Sequence, residues 1–462
     1  MPDKKVKLTV IADPHYYSRK LGSSGRAYTL RSESDQKCLA ETSEIVDAAF
    51  KKIAESDTDA VLIAGDLSND GEVVSHEEFR EKLKELQKHK PVYVITATHD
   101  FCSDNNPRRY EGEKVYHDVE TMPADKLRDF YYEFGPKQAS AEFFTHLGTS
   151  SYAVDINDKL RLLCFNDDQS GQGGSGFSEE HFQWIENQMK DAQSKGMMVI
   201  SMEHHLLVKH IHPMISGGGM SVKDEETVAS RLADAGIRYS FVGHSHMTDV
   251  AKFTSPAGNT ITSINVGSIC GYPAPIAIVT VNDDRNTITL DFEHLESFEG
   301  VPDAQEFFKE HALNLITKTV EGVAYGDKNE FMDRIRALNA PAEKLAKFRF
   351  ILKPAAKFFD SLTVKNAYRI LNVLTLGRVI DKKWTLPYRD EKVLDIGRMV
   401  FLNIFNAQQN RFDRDSDFYN LVTSVVSIPS RILKKNKALR QINELVDVLV
   451  VGNELNHFPE EL

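Results

Sequence analysis

Short clusters of acidic, hydroxyl and imidazole side chains recur along the first 246 residues of this sequence. They are Asp13 with His15, Asp66, Thr98 with His99 and Asp100, His204 with His205, and His244 with His246. Zn, Mn and Fe accept carboxylate oxygens and imidazole nitrogens as ligands, and no Cys-x-x-Cys pair favours a thiolate site. Only a divalent metal cluster obviously needs so many of these groups, so the set predicts a metal site.

Each cluster directly follows a predicted strand. The runs are short, apolar and rich in β-branched residues, and they cover 6–12, 61–64, 92–96, 197–202 and 239–242. Predicted helices alternate with them at 36–56, 75–89, 178–195 and 224–235, the second opening on a capping box at Ser75. This order is typical of an α/β fold with parallel strands, whose carboxyl ends share one sheet edge. We therefore expect one sheet to bring all the clusters to one site.

Each motif has a structural alternative when it is taken alone. Gly-Asp after a strand is most often an ordinary turn, Asp-x-His is usually a solvated loop, and His-x-His is often a paired strand end. Five such motifs, all at predicted strand ends, are unlikely to be independent accidents. The combination favours the metal site over five separate structural roles.

The length and charge of the chain restrict its class. With 462 residues it should hold two domains. Residues 1–300 carry 31 Lys and Arg against 47 Asp and Glu, which argues against a nucleic-acid groove. No run approaches ~20 apolar residues, so we expect no membrane partner. No signal peptide precedes the first strand and the four cysteines lie far apart, so we expect a cytoplasmic protein with reduced thiols.

The pattern changes near residue 300. Before it, β-rich runs at 260–266, 276–282 and 287–295 predict a meander in a second sheet. After it, helical periodicity takes over at 304–323, 328–338, 343–359, 364–374, 392–409 and 417–450, the last broken at Pro429. We therefore predict domains at 1–299 and 300–462, the second of them all-α.

The order of the motifs resembles that of the calcineurin-like metallophosphoesterases, which runs Asp-x-His, Gly-Asp, Gly-Asn-His-Asp/Glu, a strand-end His, and Gly-His-x-His. The resemblance spans roughly residues 6–295. The phrases GDLSNDGEVVSHEEF, HHLL followed by His, and GSICGYP look most like a bacterial subgroup related to cyclic-nucleotide phosphodiesterases. The resemblance implies a two-sheet αββα sandwich followed by a helical domain.

The resemblance also implies two metal-ligand sets that share Asp66. The first set would be Asp13, His15, Asp66 and His246, and the second would be Asp66, His204 and His244, with His205 as the alternative to His204. The metal ions would be two divalent cations, Mn, Fe or Zn. Asp66 would bridge them.

Thr98 departs from the family pattern, which has Asn as an amide-oxygen ligand of the second metal. Either the Thr98 hydroxyl ligates, or a water fills the gap, or the second site is weak. His99 would contact the phosphate and assist the leaving group, since an imidazole can donate a proton near neutral pH. Asp100 would either orient that imidazole or cap a turn.

The activity implied is hydrolysis of a small, cyclic-nucleotide-like phosphodiester by a metal-bridging hydroxide. The alternatives are a phosphomonoesterase or nucleotidase with the same site, and a metal-binding protein whose turnover Thr98 has impaired. Further candidate substrate contacts are Arg26, His210, His212, Tyr272 and Pro273. The sequence leaves the oligomeric state open. A run of basic residues predicts a solvated helix face. Its members are Lys344, Lys347, Arg349, Lys353 and Lys357.

Overall fold

Two β-sheets packed face to face form the centre of the protein. The computed structural model describes residues 5–170, 174–210, 220–337, 341–377, 380–405, 412–432, 437–451 and 458–462. Leu8, Val10 and Leu62 of one sheet and Ile200 and Phe241 of the other belong to one buried apolar cluster. Because strands alternate their side chains between faces, these residues fill the space between the sheets.

The six-stranded sheet contains the first strands of the chain. Its spatial order is Glu460–Glu461, Thr287–His294, Pro275–Asn282, Val6–Ile11, Ala60–Ala64 and Val92–Ile95. The last three strands are parallel to one another. The helices Thr42–Glu55 and Val73–Gln87 pack on its outer face through Ile45 and Phe79.

The seven-stranded sheet completes the sandwich. Its order is Thr248–Thr254, Thr260–Val266, Tyr239–Val242, Met198–Met202, Leu160–Cys164, Ser150–Asn157 and Ala141–Phe144. The helices Glu179–Ser194 and Glu225–Ala235 cover its outer face through Ile185 and Leu232. The predicted αββα sandwich is confirmed.

Three local predictions were wrong. The run 260–266 lies in the seven-stranded sheet while 276–282 and 287–295 fall in the six-stranded one, so they form no single meander. The segment 16–35 contains the helix Arg26–Ser32. The second long helix begins at Val73 with Glu72 as its N-cap, and Ser75 instead accepts a hydrogen bond from the Ser18 amide.

Shorter elements connect the strands. They are the helix Ala124–Phe130 and the hairpins Arg109–Glu111 with Lys114–Tyr116 and Asp168–Ser170 with Gly174–Ser175. Four 3-10 turns lie at Arg19–Leu21, Leu39–Glu41, Thr98–Phe101 and Pro136–Gln138.

The chain after residue 300 is helical, as predicted. Its helices are Ala304–Ala324, Lys328–Ala337, Ala342–Ala346, Arg349–Ser361, Val364–Leu374, Lys382–Thr385, Val393–Leu402, Asp417–Ile432 and Lys437–Val451. The helix from Asp417 continues through Pro429, so the predicted break there was wrong. Among the helices described, none is both long enough and apolar enough to cross a bilayer.

The helical part contacts the sandwich through apolar packing, ion pairs such as Arg334 with Glu33, and strand pairing. Phe308, Leu402 and Phe405 belong to the same apolar cluster as Ile45 and Phe79. The terminal strand Glu460–Glu461 pairs with Thr287–His294 at the edge of the six-stranded sheet. The division at residue 299 stays a prediction.

Candidate metal centre

The clusters found in the sequence meet where the two sheets face each other. Asp13 and Asp66 follow adjacent strands of the six-stranded sheet, whereas His204 and His244 follow adjacent strands of the seven-stranded one. The expectation that one sheet would supply every cluster was therefore wrong. Two parallel-strand edges converge, and neither carries the whole set.

The backbone at these strand ends is unusual. Five of the eleven non-glycine residues with positive φ in the described chain are Asp13, His15, Asp66, His244 and His246. Left-handed backbone is costly for residues with a Cβ and tends to persist at functional sites. The concentration of such residues at one place indicates that it is a functional centre.

The first group of ligand atoms comes from Asp13, His15 and His246. The Nε2 atoms of His15 and His246 lie 2.9 Å apart. The Asp13 Oδ1 lies 3.8 Å from the His15 Nε2 and 3.7 Å from the His246 Nε2. These atoms point to a common centre and are close enough together to hold one metal ion.

The second group comes from Asp66, His204 and His244. The His204 Nε2 lies 3.0 Å from the Asp66 Oδ2 and 3.2 Å from the His244 Nδ1. The same Asp66 oxygen is 3.7 Å from the His15 Nε2 of the first group. Asp66 therefore lies between the two groups, where a bridging carboxylate would be needed.

Hydrogen bonds between the sheets fix these side chains. The His204 Nδ1–H donates to the Ala64 carbonyl oxygen at 2.9 Å, which leaves Nε2 as the free nitrogen facing Asp66. The backbone N–H of His244 donates to the Asp13 carboxylate, 3.0 Å from either oxygen. A Cβ at Gly243 would lie 2.5 Å from the Asp13 Oδ2, so this close approach requires glycine.

The buried charges of the centre shift one another's pKa values. Burial raises the pKa of Asp13 to about 7. Burial alone would also raise the pKa of Asp66, but the imidazoles of His204, His99 and His15 outweigh it and hold that pKa well below its usual range. Asp66 and Asp13 in turn overcome burial and raise the pKa of His204 well above normal. Carboxylate oxygens and imidazole nitrogens brought together in this way fit a divalent cation.

Thr98 and His99 lie at the edge of the centre. The His99 backbone N–H donates to the Asp66 Oδ1 at 3.0 Å, and its Nδ1–H donates to the Asn69 carbonyl oxygen. The His99 side chain is 35% exposed, so a substrate can reach it. Burial lowers the pKa of the imidazole. Thr98 is 8% exposed and begins the turn that carries His99.

Asp100 points away from the His99 imidazole. Its Oδ1 accepts from the Ser68 amide at 2.9 Å and its Oδ2 from the Ala97 amide at 2.8 Å. Of the two roles left open by the sequence, these contacts are those of turn capping. The carboxylate nearest the His99 ring belongs to Asp70, 3.8 Å from Nδ1.

His205 faces a different partner from His204. Its Nδ1 lies 2.9 Å from both carboxylate oxygens of Asp167. It belongs to none of the metal-sized groups formed by the described residues. The geometry thus favours His204 of the pair.

Sequence reasoning missed several residues around the centre. Lys37 is nearly buried, with its Nζ 3.9 Å from the nearest Asp35 carboxylate oxygen. Arg108 forms a bidentate pair with buried Asp70, at 2.8 and 2.7 Å. Asp168 is fully buried, and within the described chain neither carboxylate oxygen has a hydrogen-bond partner. Asp70 lies inside the GDLSND phrase, but no spacing signal marks Lys37 or Arg108.

Lys37 acts electrostatically on the first group. Burial and then the charge of Lys37 hold the pKa of His15 well below normal and lower that of His246 to about 3. The next residue, Cys38, donates its amide to the Cys270 carbonyl oxygen at 2.8 Å. The Cys270 thiol in turn lies 3.6 Å from the Asp13 carbonyl oxygen, so the segment of Lys37 is fixed beside the centre.

The suggested substrate contacts have other partners. Arg26 pairs with Glu330 and Asp333 at 2.9 and 2.8 Å. His210 lies 3.0 Å from an Asp249 carboxylate oxygen. Tyr272 is buried in the apolar cluster that contains Ile45 and Phe79, so it packs in the core. His212 lies outside the described residues.

One family of known proteins matches this chain by sequence. The sequence model of the calcineurin-like phosphoesterases matches residues 6–248. No curated protein matches the sequence.

Several solved structures are similar to this chain. A dimetal phosphatase from Danio rerio is 12% identical, with 63% of this chain and 96% of that chain covered and a TM-score of 0.44. A purple acid phosphatase from yellow lupin, Lupinus luteus, is 12% identical, with 65% of this chain and 53% of that chain covered and a TM-score of 0.40. A 5'-nucleotidase precursor from Thermus thermophilus is 14% identical, with 68% of this chain and 59% of that chain covered and a TM-score of 0.35.

Proposed function

The chain belongs to the calcineurin-like phosphoesterase family, and on that premise we propose that it hydrolyses a small phosphodiester of the cyclic-nucleotide type with two divalent cations. Family membership makes it a hydrolase of phosphoesters that uses divalent metal ions. The number of ions, the diester and the cyclic-nucleotide type belong to the proposal. A cytoplasmic location stays a prediction of the sequence.

One observation carries the two-cation proposal: Asp66 belongs to a metal-sized group with His204 and His244 and to another with His15 and His99, and His15 also belongs to the group of Asp13 and His246. We assign the first cation to Asp13, His15, Asp66 and His246, and the second to Asp66, His204 and His244. Such cations, Mn, Fe or Zn, supply Lewis acidity that neutralises phosphoryl charge and lowers the pKa of water. The second group has fewer protein donors, and Thr98 is the residue available to complete it.

We propose that His99 donates a proton to the leaving group. Its Nδ1–H is committed to the Asn69 carbonyl oxygen, which leaves Nε2 as the working nitrogen. The backbone bond from His99 to Asp66 ties its position to the metal ligands. Asp70, held by Arg108, lies close enough to bias the charge of the imidazole.

The diester preference is supported by the sequence phrases that resemble the cyclic-nucleotide subgroup. Lys37 supports a second candidate, a phosphomonoesterase or nucleotidase. A monoester carries more negative charge than a diester near neutral pH, and a nearly buried ammonium beside the first group would stabilise the extra charge. Lys37 is thus the residue that should separate the two substrate classes.

The test is elemental analysis of protein purified without added metal, followed by assays in Mn, Zn and Fe. The substrates are bis(p-nitrophenyl) phosphate, p-nitrophenyl phosphate and cyclic nucleotides. We expect about two metal ions per chain and faster turnover of the diesters. Faster turnover of the monoester, lost selectively in Lys37→Gln, would establish the second candidate instead.

A site whose turnover Thr98 has impaired is a further outcome that the same assays distinguish. It predicts one tightly held ion and no hydrolysis in any of the three metals. Recovery of hydrolysis in Thr98→Asn would then show that Thr98 had impaired an otherwise competent site.

A further inference from the structure

Exposed apolar side chains concentrate in one short part of the helical region. Nine of the seventeen large apolar residues exposed in the described chain fall within residues 348–376. They are Phe348, Phe350, Ile351, Phe358, Phe359, Ile370, Val373, Leu374 and Leu376, and we call this set the 348–376 face. Phe358, Phe359 and Ile370 of this set line one cavity, and large exposed apolar patches usually mark an interaction site.

Two successive helices build the 348–376 face. The helix Arg349–Ser361 has no buried residue, and its Phe350 is 74% exposed. On the helix Val364–Leu374, Ile370, Val373 and Leu374 follow helical spacing and so share one side. Leu371, on an adjoining side of the same helix, packs against the apolar core of the helical region.

A cavity opens beside the same residues. Its volume is about 470 Å³, and its lining is almost entirely apolar. Its lining includes the exposed Phe358, Phe359 and Ile370, the half-buried Val400 and the buried Val422. The apolar surface thus continues inward from the 348–376 face.

The charge of the same segment is opposite to that of the whole chain. Residues 348–376 contain five Lys or Arg and one acidic residue, whereas the chain carries a net charge of -12. The basic residues are Arg349, Lys353, Lys357, Lys365 and Arg369. Basic residues interleaved with exposed Phe and Leu are the pattern of helices that lie on membrane surfaces.

We propose that the 348–376 face docks on an anionic lipid bilayer, with its aromatic and aliphatic side chains entering the boundary between headgroups and acyl chains. Lys357, Lys365 and Arg369 would contact the lipid phosphates, whereas Arg349 and Lys353 already donate to the Gly326 carbonyl oxygen. Surface docking needs no membrane-spanning helix, so it is compatible with the helices described above. The expectation of no membrane partner considered only spanning segments.

The charge pattern argues against a second copy of the chain as the occupant. In a two-fold contact the same surface meets itself, so five basic residues would face the same five on the partner. Like charges brought together in this way oppose association. An anionic surface satisfies the apolar and the basic residues at once.

Vesicle flotation of the full chain tests the proposal. The vesicles are pure phosphatidylcholine, or phosphatidylcholine mixed with phosphatidylglycerol. We expect binding to the mixed vesicles only, weakening as salt is raised. Phe350→Ser with Phe358→Ser should abolish it, and Lys357→Glu with Arg369→Glu should weaken it by on the order of fivefold or more per residue.

Matched controls separate docking from folding. Phe144 is 54% exposed in the sandwich, so Phe144→Ser should leave flotation unchanged. The control for the charge reversal is Lys51→Glu with Lys190→Glu, which changes two exposed lysines outside the 348–376 face. All variants should retain hydrolysis of a soluble phosphoester.

Two results would overturn the proposal. One is failure of the active full chain to float with mixed vesicles at low salt. The other is a concentration-dependent dimer in light scattering that Phe350→Ser dissolves, without any vesicle binding. Either result leaves the proposed phosphoesterase function untouched.

Discussion

The two sheets contribute different chemistry to the candidate centre. The six-stranded sheet supplies both carboxylates, Asp13 and Asp66, together with His15. The seven-stranded sheet supplies only imidazoles, those of His204, His244 and His246. Each carboxylate lies against an imidazole from the opposite sheet. The centre is thus a product of sheet packing, and neither sheet can form it alone.

The two sides also hold their residues differently. On the six-stranded side, Asp100 accepts from two backbone amides and His76 donates to the Asp100 carbonyl oxygen at 2.8 Å. On the seven-stranded side, His205 pairs with Asp167, and Gly243 lets the chain approach Asp13. Substitutions on each side should therefore have different consequences.

The substitution with the largest expected effect on activity is at Asp66, in the six-stranded sheet that supplies both carboxylates. Asp66→Asn keeps the shape of the side chain but removes the charge shared by both groups. We expect loss of both metal ions and a fall in kcat/KM larger than the roughly 10–100-fold caused by changing residues outside the ligand set. Elemental analysis and steady-state kinetics measure the two effects.

Asp100→Asn is the matched control for Asp66→Asn. It also replaces a buried carboxylate, but one whose contacts are backbone amides. It should keep its metal content even if it lowers stability. Retention of two ions by Asp66→Asn would contradict the bridging assignment.

The imidazole side should lose one ion at a time. In His204→Asn, the new amide can replace the Nδ1–H bond to Ala64 but cannot replace Nε2. We expect about one metal ion per chain and a smaller loss of activity than in Asp66→Asn. The same substitution at the adjacent His205, which uses Nδ1 towards Asp167, should leave metal content unchanged. The reverse pattern would exchange the roles of the two residues.

Much of this centre could be predicted from sequence because local rules apply to it. Apolar runs ending in Asp13, Asp66 and His204 identify strands and the edge at which they end. The run 260–266 and its neighbours show the limit. Strand propensity does not say which sheet a strand joins, because pairing depends on tertiary packing.

Long-range partners could not be predicted at all. Lys37 reaches the centre only because the 35–38 segment packs beside the Asp13 loop. Asp70 and Arg108 are 38 positions apart and meet through the fold. The turn-capping contacts of Asp100 likewise depend on Ser68 from the neighbouring strand end.

His76 donates to the Asp100 carbonyl oxygen on the six-stranded side of the centre, and it should make the stability of the fold depend on pH. Burial lowers the pKa of His76 from 6.5 to about 4. The unfolded chain therefore takes up this proton first as the pH falls, so stability is kept above about pH 6.5 and lost progressively towards pH 4. The loss should reach about 3 kcal/mol. Urea denaturation across this range should show a shallower loss in His76→Gln than in the wild type, and parallel profiles would refute the assignment.

Thr98 determines how many protein ligands the second group has. If a water fills the place of the family's Asn or the site is weak, Thr98→Asn should tighten binding of the second ion, by on the order of tenfold for one added ligand. Thr98→Val keeps the shape and removes the hydroxyl. It should be neutral if water ligates and should weaken the second ion if the hydroxyl does. Metal titration of the three proteins, with Asp66→Asn as the blank, distinguishes these cases, and equal affinities throughout would remove Thr98 from the ligand set.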